Sequence, residues 1–163
     1  MNSRLRSVSI IALVIALDRI TKIYIRDHFS PFDIRPVIAG FFNIVHTENP
    51  GAAFGMLAES PGAWRGLVLV GVSLAVMVFI AVMLFRPGVK KSLTLEIALA
   101  LVFGGAAGNM WDRLFRGTVT DFLQFFFGSY EFPSFNAADS AITVGAGLLL
   151  LDLWMNREKN RVN

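Results

Sequence analysis

The chain has 163 residues, 55% of them hydrophobic and 17% charged, with no cysteine and a net charge of +3. That is long enough for one domain and too apolar for a water-exposed one, so a membrane protein is expected, and the low hydrophobicity that keeps chains disordered is absent. The lack of cysteine excludes disulfides, thiolate metal sites, iron–sulfur clusters and a cysteine nucleophile, and His28 and His46 are too few for a histidine-rich metal site.

Roughly 20 helical residues cross the hydrocarbon core of a bilayer, and four windows of about that length are predicted as spans. The first, Ser7 to Ile25, follows Arg4 and Arg6 as a signal sequence would. No small-x-small cleavage site ends it, and the apolar run Val8 to Leu17 continues into Asp18-Arg19-Ile20-Thr21-Lys22, so an uncleaved span is expected. Asp18 and Lys22 share a helix face at i,i+4, the spacing of a local ion pair. The connection that follows, about Arg26 to Arg65, holds the helix breakers Pro31 and Pro36, a turn-permitting Gly40 and the strand-like Phe42-Asn43-Ile44-Val45-His46.

The second span, Leu67 to Phe85, is nineteen residues with Ser73 as the only polar side chain. The third, Leu93 to Trp111, carries Glu96 and Asn109, and its Gly104-Gly105-Ala106-Ala107-Gly108 embeds a GxxxG suited to close helix packing. Asn109 and Arg113 repeat the i,i+4 spacing at its outer end, where Arg113 has the option of snorkelling to the headgroups. Thr118-Val119-Thr120-Asp121-Phe122 is again strand-like, and Phe125-Phe126-Phe127 is expected at the membrane interface. The fourth span, Phe135 to Met155, contains Asp139 and Asp152. Asn136, after Pro133, is a natural N-cap, which makes Asp139 the reciprocal half of a capping box at the positive end of a helix dipole, where an ionised carboxylate is favoured. Tyr24, Trp64, Trp111 and Trp154 sit near span ends as an aromatic belt would.

Arg4, Arg6, Arg86, Lys90, Lys91, Arg157, Lys159 and Arg161 all fall on one side of a four-helix up-and-down arrangement, accompanied by Glu96, Asp152 and Glu158. By the positive-inside rule that side, with both termini, is cytoplasmic, and the excess of bases reflects membrane orientation rather than nucleic-acid binding. No internal repeat or linker divides the chain, and one domain is expected.

Ionisable groups at membrane depth are functional candidates by default. Thiol chemistry is excluded, no serine lies in a nucleophile-elbow motif, and a Ser-Lys dyad on Lys22 has no support beyond the lysine itself. Asp121 and Asp139 lie on the same membrane side, and sharing one proton would let the ionised carboxylate activate water while the protonated one binds a scissile carbonyl. Asp112, Glu48 and Glu131 compete for the assignment. Two readings from other classes stay open: a membrane assembly or lipid-binding protein in which the aspartates are structural, and a proton relay, against which the absence of inverted repeats counts.

These residues resemble those of the bacterial lipoprotein signal peptidases (signal peptidase II). The resemblance rests on five ordered blocks: Asp18-Arg19-Ile20-Thr21-Lys22; Asn49-Pro50-Gly51-Ala52-Ala53-Phe54; Gly104 to Arg113; Val119-Thr120-Asp121-Phe122; and Phe135-Asn136-Ala137-Ala138-Asp139-Ser140. It implies an all-α membrane protein of four transmembrane helices, spanning about 7–25, 67–85, 93–111 and 135–155, with a small extracytoplasmic β-cradle. It also implies an aspartic endopeptidase of the bacterial inner membrane that removes signal peptides from diacylglyceryl-modified prolipoproteins, cutting before the lipidated cysteine. By resemblance, Asp121 and Asp139 match the catalytic dyad. Asn49, Gly51, Asn109, Arg113 and Asn136 match positions that anchor substrate and dyad, and Asp18 and Lys22 match a structural polar pair. The implied partners are lipidated substrate, membrane lipid and globomycin-like cyclic peptide inhibitors, with a monomeric protein and no metal, organic cofactor or nucleic acid. Arg19 stands where the family usually has glutamine and Thr120 where valine is common; the extra cation of Arg19 puts the Asp18–Lys22 pairing in question.

Overall fold

The computed structural model describes residues 2–51, 62–88 and 91–162, with side chains as far as 156. Ala52, Ala53 and Phe54 of the second block and Lys90 lie outside the described residues, as do the side chains of Arg157, Glu158, Lys159 and Arg161. Four helices and four strands follow one another as α1 (Ser3–His28), β1 (Ile34–Ile38), β2 (Phe42–Asn49), α2 (Gly62–Phe85), α3 (Leu93–Arg116), β3 (Val119–Phe127), β4 (Tyr130–Phe135) and α4 (Ala137–Val162). Among the described residues three helical stretches are long and apolar enough to cross a membrane: Trp64–Phe85, Leu93–Arg116 and Ala137–Asn156. Helix α1 has 26 residues, about 39 Å at roughly 1.5 Å per residue, but carries more charge.

Local chemistry sets the ends of these elements. Asn2 accepts a hydrogen bond from the Arg4 amide to start α1, and Ser92 accepts one from Leu95 to start α3. Gly117, at φ +78°, stops α3 in the left-handed conformation that costs glycine little. The fourth helix begins at Ala137, directly after the expected cap Asn136, and Phe135, the first residue of the predicted span, is instead the last residue of β4. Two strand-like segments were expected; the chain forms an antiparallel sheet of four, ordered β1-β2-β3-β4, with β1 and β4 supplied by the Pro-containing stretches around them.

Helix α3 lies at the centre of the bundle, with Ala98 and Ala100 wholly buried. Its glycines permit that approach. A methyl on Gly104 would stand 2.8 Å from Val14 Cβ of α1, one on Gly105 would strike the Ala138 carbonyl of α4, and one on Gly108 would stand 2.5 Å from Asp18 Oδ2. The expected small-residue packing is therefore present, serving two partner helices. Ile80 and Leu84 of α2 pack on Leu99, and Ile25, Phe29 and Phe122 join the end of α1 to the sheet. Phe125 packs within an aromatic cluster with Phe41, Phe42 and Phe135, while Phe127 is exposed. Tyr24, Trp64, Trp111 and Trp154 are all exposed.

At the end of the bundle far from the sheet, buried Glu96 accepts hydrogen bonds from Ser3 (2.9 Å), Ser7 (3.0 Å) and Arg6 (2.5 and 3.1 Å), tying α3 to α1. Asp152 accepts from the Ser92 hydroxyl and from Asn156, tying α4 to the start of α3. Overpacking a tight helix contact costs about 1–3 kcal/mol. Gly105→Ala is accordingly expected to lower the midpoint of thermal unfolding in detergent by several degrees, whereas Gly147→Ala, whose new methyl meets nothing within 4 Å, is expected to leave it unchanged or raise it.

Candidate active site

Where the sheet meets the bundle, β3 is buried on both of its faces. Asp121 pairs in register with Thr47 and Thr120 with Glu48. The alternation of the strand puts Asp121 and Thr120 on opposite faces, Thr120 meeting Arg26 and Glu48. Asp121 is 2% exposed, and both carboxylate oxygens accept amide hydrogen bonds: Oδ1 from Asn136 Nδ2 at 2.7 Å, Oδ2 from Asn49 Nδ2 at 3.0 Å. The Asn49 amide is itself held, because its Oδ1 accepts from the Gly51 N–H at 2.9 Å.

Asp139 enters from the first turn of α4. Its amide donates to Asn136 Oδ1 at 3.0 Å while its Oδ2 accepts from the Asn136 main-chain N–H at 3.2 Å, which is the reciprocal capping pair expected from the spacing. Its Oδ1 accepts from Asn109 Nδ2 of α3 at 2.7 Å. Asn136, fully buried, thus contacts both aspartates, and the helix cap and the junction of the two carboxylates are the same residue.

Arg113 does not snorkel. It turns inward, donating to the Gly51 carbonyl at 3.0 Å, and its buried Nε has no hydrogen-bond partner among the described residues. All the positions named from sequence therefore converge: Asn49, Gly51, Asn109, Arg113 and Asn136 surround Asp121 and Asp139. Asp18 and Lys22 also adjoin this group. Their ion pair is intact at 2.9 Å, because Arg19 pairs with Asp112 at 2.5 Å instead of competing for Asp18. Lys22 donates to Asn109 Oδ1 at 2.9 Å and Asp18 Oδ1 accepts from the Ala138 N–H at 3.1 Å.

The competing acids have other partners. Asp112 is held by Arg19 and Lys22, and Glu131 accepts from Gln124 at 2.6 Å. Glu48 accepts from Thr118 and Thr120 and faces His46 Nε2 at 3.1 Å. Burial pushes the Glu48 carboxyl up, but these hydrogen bonds outweigh it and hold it below its usual range. The grouping of Glu48, His46, Thr118, Thr120 and Arg26 escaped sequence reading; the cross-strand pairing of Glu48 with Thr120 that assembles it depends on the register of β2 and β3. Asp121 behaves in the opposite way. Burial, and then the charge of Asp139, raise it to about 7 against the hydrogen bonds from Asn49 and Asn136.

A fold of apolar helices carrying a small sheet, with two hydrogen-bonded carboxylates at their junction, is that of a membrane enzyme. The chain superimposes on a solved bacterial membrane enzyme, determined by the in meso method at 2.3 Å resolution, with a TM-score of 0.84 and 30% identity over 94% of this chain and 90% of that one. The family model for signal peptidase (SPase) II matches residues 10–155. Lipoprotein signal peptidases from Solibacter usitatus and Photorhabdus laumondii are 45% and 39% identical to it, covering 92% and 97% of this chain and 91% and 93% of those relatives. The chain belongs to the signal peptidase II family, and it is an enzyme of that type.

Because the folded protein favours protonated Asp121, the contribution of this group to stability is fully present below the unfolded carboxyl value of about 4 and is lost as the pH rises through about 7. Thermal unfolding of the wild type is expected to move downward over that window, and Asp121→Asn should flatten the dependence; the check is a series of melts from pH 4 to 8.

Proposed function

We propose that this enzyme is a four-span aspartic endopeptidase that removes the signal peptide from diacylglyceryl-modified prolipoproteins, cutting before the lipidated cysteine, with Asp121 and Asp139 as its catalytic dyad. The observation that carries this reading is the convergence of a strand carboxylate and a helix carboxylate on Asn136, which hydrogen-bonds no other acid among the described residues. Asp139 accepts from Asn109 and from the Asn136 main-chain N–H in the first turn of α4, and in this reading it is the base. Asp121, raised to about 7, is the partner that keeps a proton.

In this mechanism Asp139 takes a proton from water as the water oxygen attacks the scissile carbonyl carbon, and Asp121 gives its proton to the carbonyl oxygen. The tetrahedral intermediate collapses when the C–N bond breaks, the leaving amine takes the proton from Asp139, and Asp121 recovers its own. No covalent intermediate with the enzyme forms. Asn49, which donates to Asp121, accepts from the Gly51 N–H, and Arg113 donates to the Gly51 carbonyl; these residues are the proposed anchors of substrate and dyad.

The membrane arrangement belongs to the same reading: one domain, multi-pass in the inner membrane, both termini cytoplasmic, the dyad near the extracytoplasmic face. Helix α1 supports its place as the fourth span because Asp18 and Lys22 are 0% exposed while its outward side chains, including Leu5, Leu13, Leu17 and Ile20, are apolar. The acyl chains of the substrate would bind by burial beside the helices, and globomycin-like cyclic peptides would compete for the site of a monomeric enzyme.

Purified enzyme in detergent is expected to cleave a diacylglyceryl-modified prolipoprotein before the modified cysteine and to process the unlipidated precursor poorly. Asp121→Asn and Asp139→Asn, each folded, are expected to lose at least about 1,000-fold in kcat, asparagine at 139 keeping the cap without serving as a base. The proton on Asp121 is required, so kcat/KM is expected to fall as the pH rises through about 7. Normal cleavage by either folded variant sinks the dyad.

A further inference from the structure

Lys22 is the largest fully buried side chain among the described residues, and the chemistry above makes no use of its charge. It leaves α1 towards α3, and its ammonium meets three acceptors, one on α1 itself and two on α3. It donates to Asp18 Oδ2 and to Asn109 Oδ1, each at 2.9 Å, and stands 3.0 Å from Asp112 Oδ2. Asp18 Oδ1, the other oxygen of that carboxylate, accepts the Ala138 N–H of α4 at 3.1 Å.

An ammonium is a donor only, whereas an asparagine amide has one end that accepts and one that donates. Lys22 therefore admits only the Asn109 oxygen on its side. The same amide then turns its Nδ2 towards α4, where it donates to Asp139 Oδ1 at 2.7 Å. The neighbouring Asn136 Nδ2, 3.3 Å from Asn109 Oδ1, demands the same orientation. A flipped Asn109 would set an amide N–H against the ammonium and a carbonyl oxygen against the Asp139 carboxylate, two repulsive contacts where there are now two hydrogen bonds.

We infer that Lys22 is a positioning residue for the reaction: through Asn109 it fixes the side-chain N–H that holds Asp139 Oδ1 and so which way that carboxylate faces, while the Asp18–Ala138 bond fixes where α4 starts. The inference rests on the dyad reading. Arg19 completes the arrangement by taking Asp112 Oδ1 at 2.5 Å, so that Lys22 is not the sole counter-charge of two buried carboxylates and remains oriented to Asn109.

The test uses the full-length enzyme in detergent with asparagine labelled by nitrogen-15. The side-chain signal of Asn109 is assigned as the one absent from Asn109→Ala. Lys22→Met is expected to shift or broaden that signal and to lower kcat about 10- to 100-fold with KM changed by less than about 2-fold, since a misplaced reacting group costs turnover and Lys22 touches no substrate. If Lys22→Met does not fold, the paired variant Lys22→Met with Asp112→Asn, which removes one anion with the cation, is measured in its place against Asp112→Asn. An unmoved Asn109 signal, an unchanged kcat, or a loss carried by KM overturns the assignment. Asp139→Asn measured in the same assay separates the two levels: retained cleavage there overturns the dyad, whereas a dead Asp139→Asn beside an unaffected Lys22→Met overturns only the role of Lys22.

Discussion

An ionised side chain withdrawn from water into a helix bundle is tolerated only when its hydrogen bonds and counter-charges are rebuilt by the protein. Lys22 is the largest such side chain among the described residues: its ammonium joins α1 to α3 through Asp18, Asn109 and Asp112, and Asp18 in turn takes the Ala138 N–H of α4. Gly108 of α3 is part of the same requirement, because any side chain there would occupy the space of the Asp18 carboxylate. Glycine packing and buried charge are thus a single constraint met from two sides. The start of α4, and with it Asp139, is placed as a result.

A second constraint comes from the sheet. Asp121 is carried by a strand that pairs on both edges, so its position is set by ladder hydrogen bonds to β2 and β4 and by the Ile25, Phe29 and Phe122 contact beneath. The two carboxylates therefore arrive on elements of different kinds, one strand and one helix terminus, and Asn136 reconciles them by serving as the cap of one and a donor to the other. The strand setting buries Asp121 and raises its carboxyl, whereas Asp139 stands in the first turn of a helix beside Asn109 and Asn136.

Much of this was legible in the sequence, for identifiable reasons. Long apolar runs report spans directly, the Asn136–Asp139 spacing reports a capping pair, and Gly104 to Gly108 reports close packing, because each is local and periodic. Arg113 was ambiguous, since the same i,i+4 position serves a snorkelling arginine and an inward one; only the carbonyl of Gly51, distant in sequence, decides it. Arg19 was expected to disturb Asp18, and its true partner Asp112 lies 93 residues away. The polar grouping around Glu48 was invisible for the same reason: strand register is a long-range property. In each case what sequence could not supply was the identity of a partner on another element.

Helix α2 differs from the other three in how its residues are chosen. Only Ile80 and Leu84 of its described side chains are buried, and Val72, Leu74, Val78, Phe79 and Val82 all face outward. Its composition answers to the surrounding solvent rather than to any particular neighbour. Among the described residues those outward positions lie far from both carboxylates in the packing, so interchange there among leucine, valine, isoleucine and phenylalanine leaves the buried polar group around Asn136 as it is.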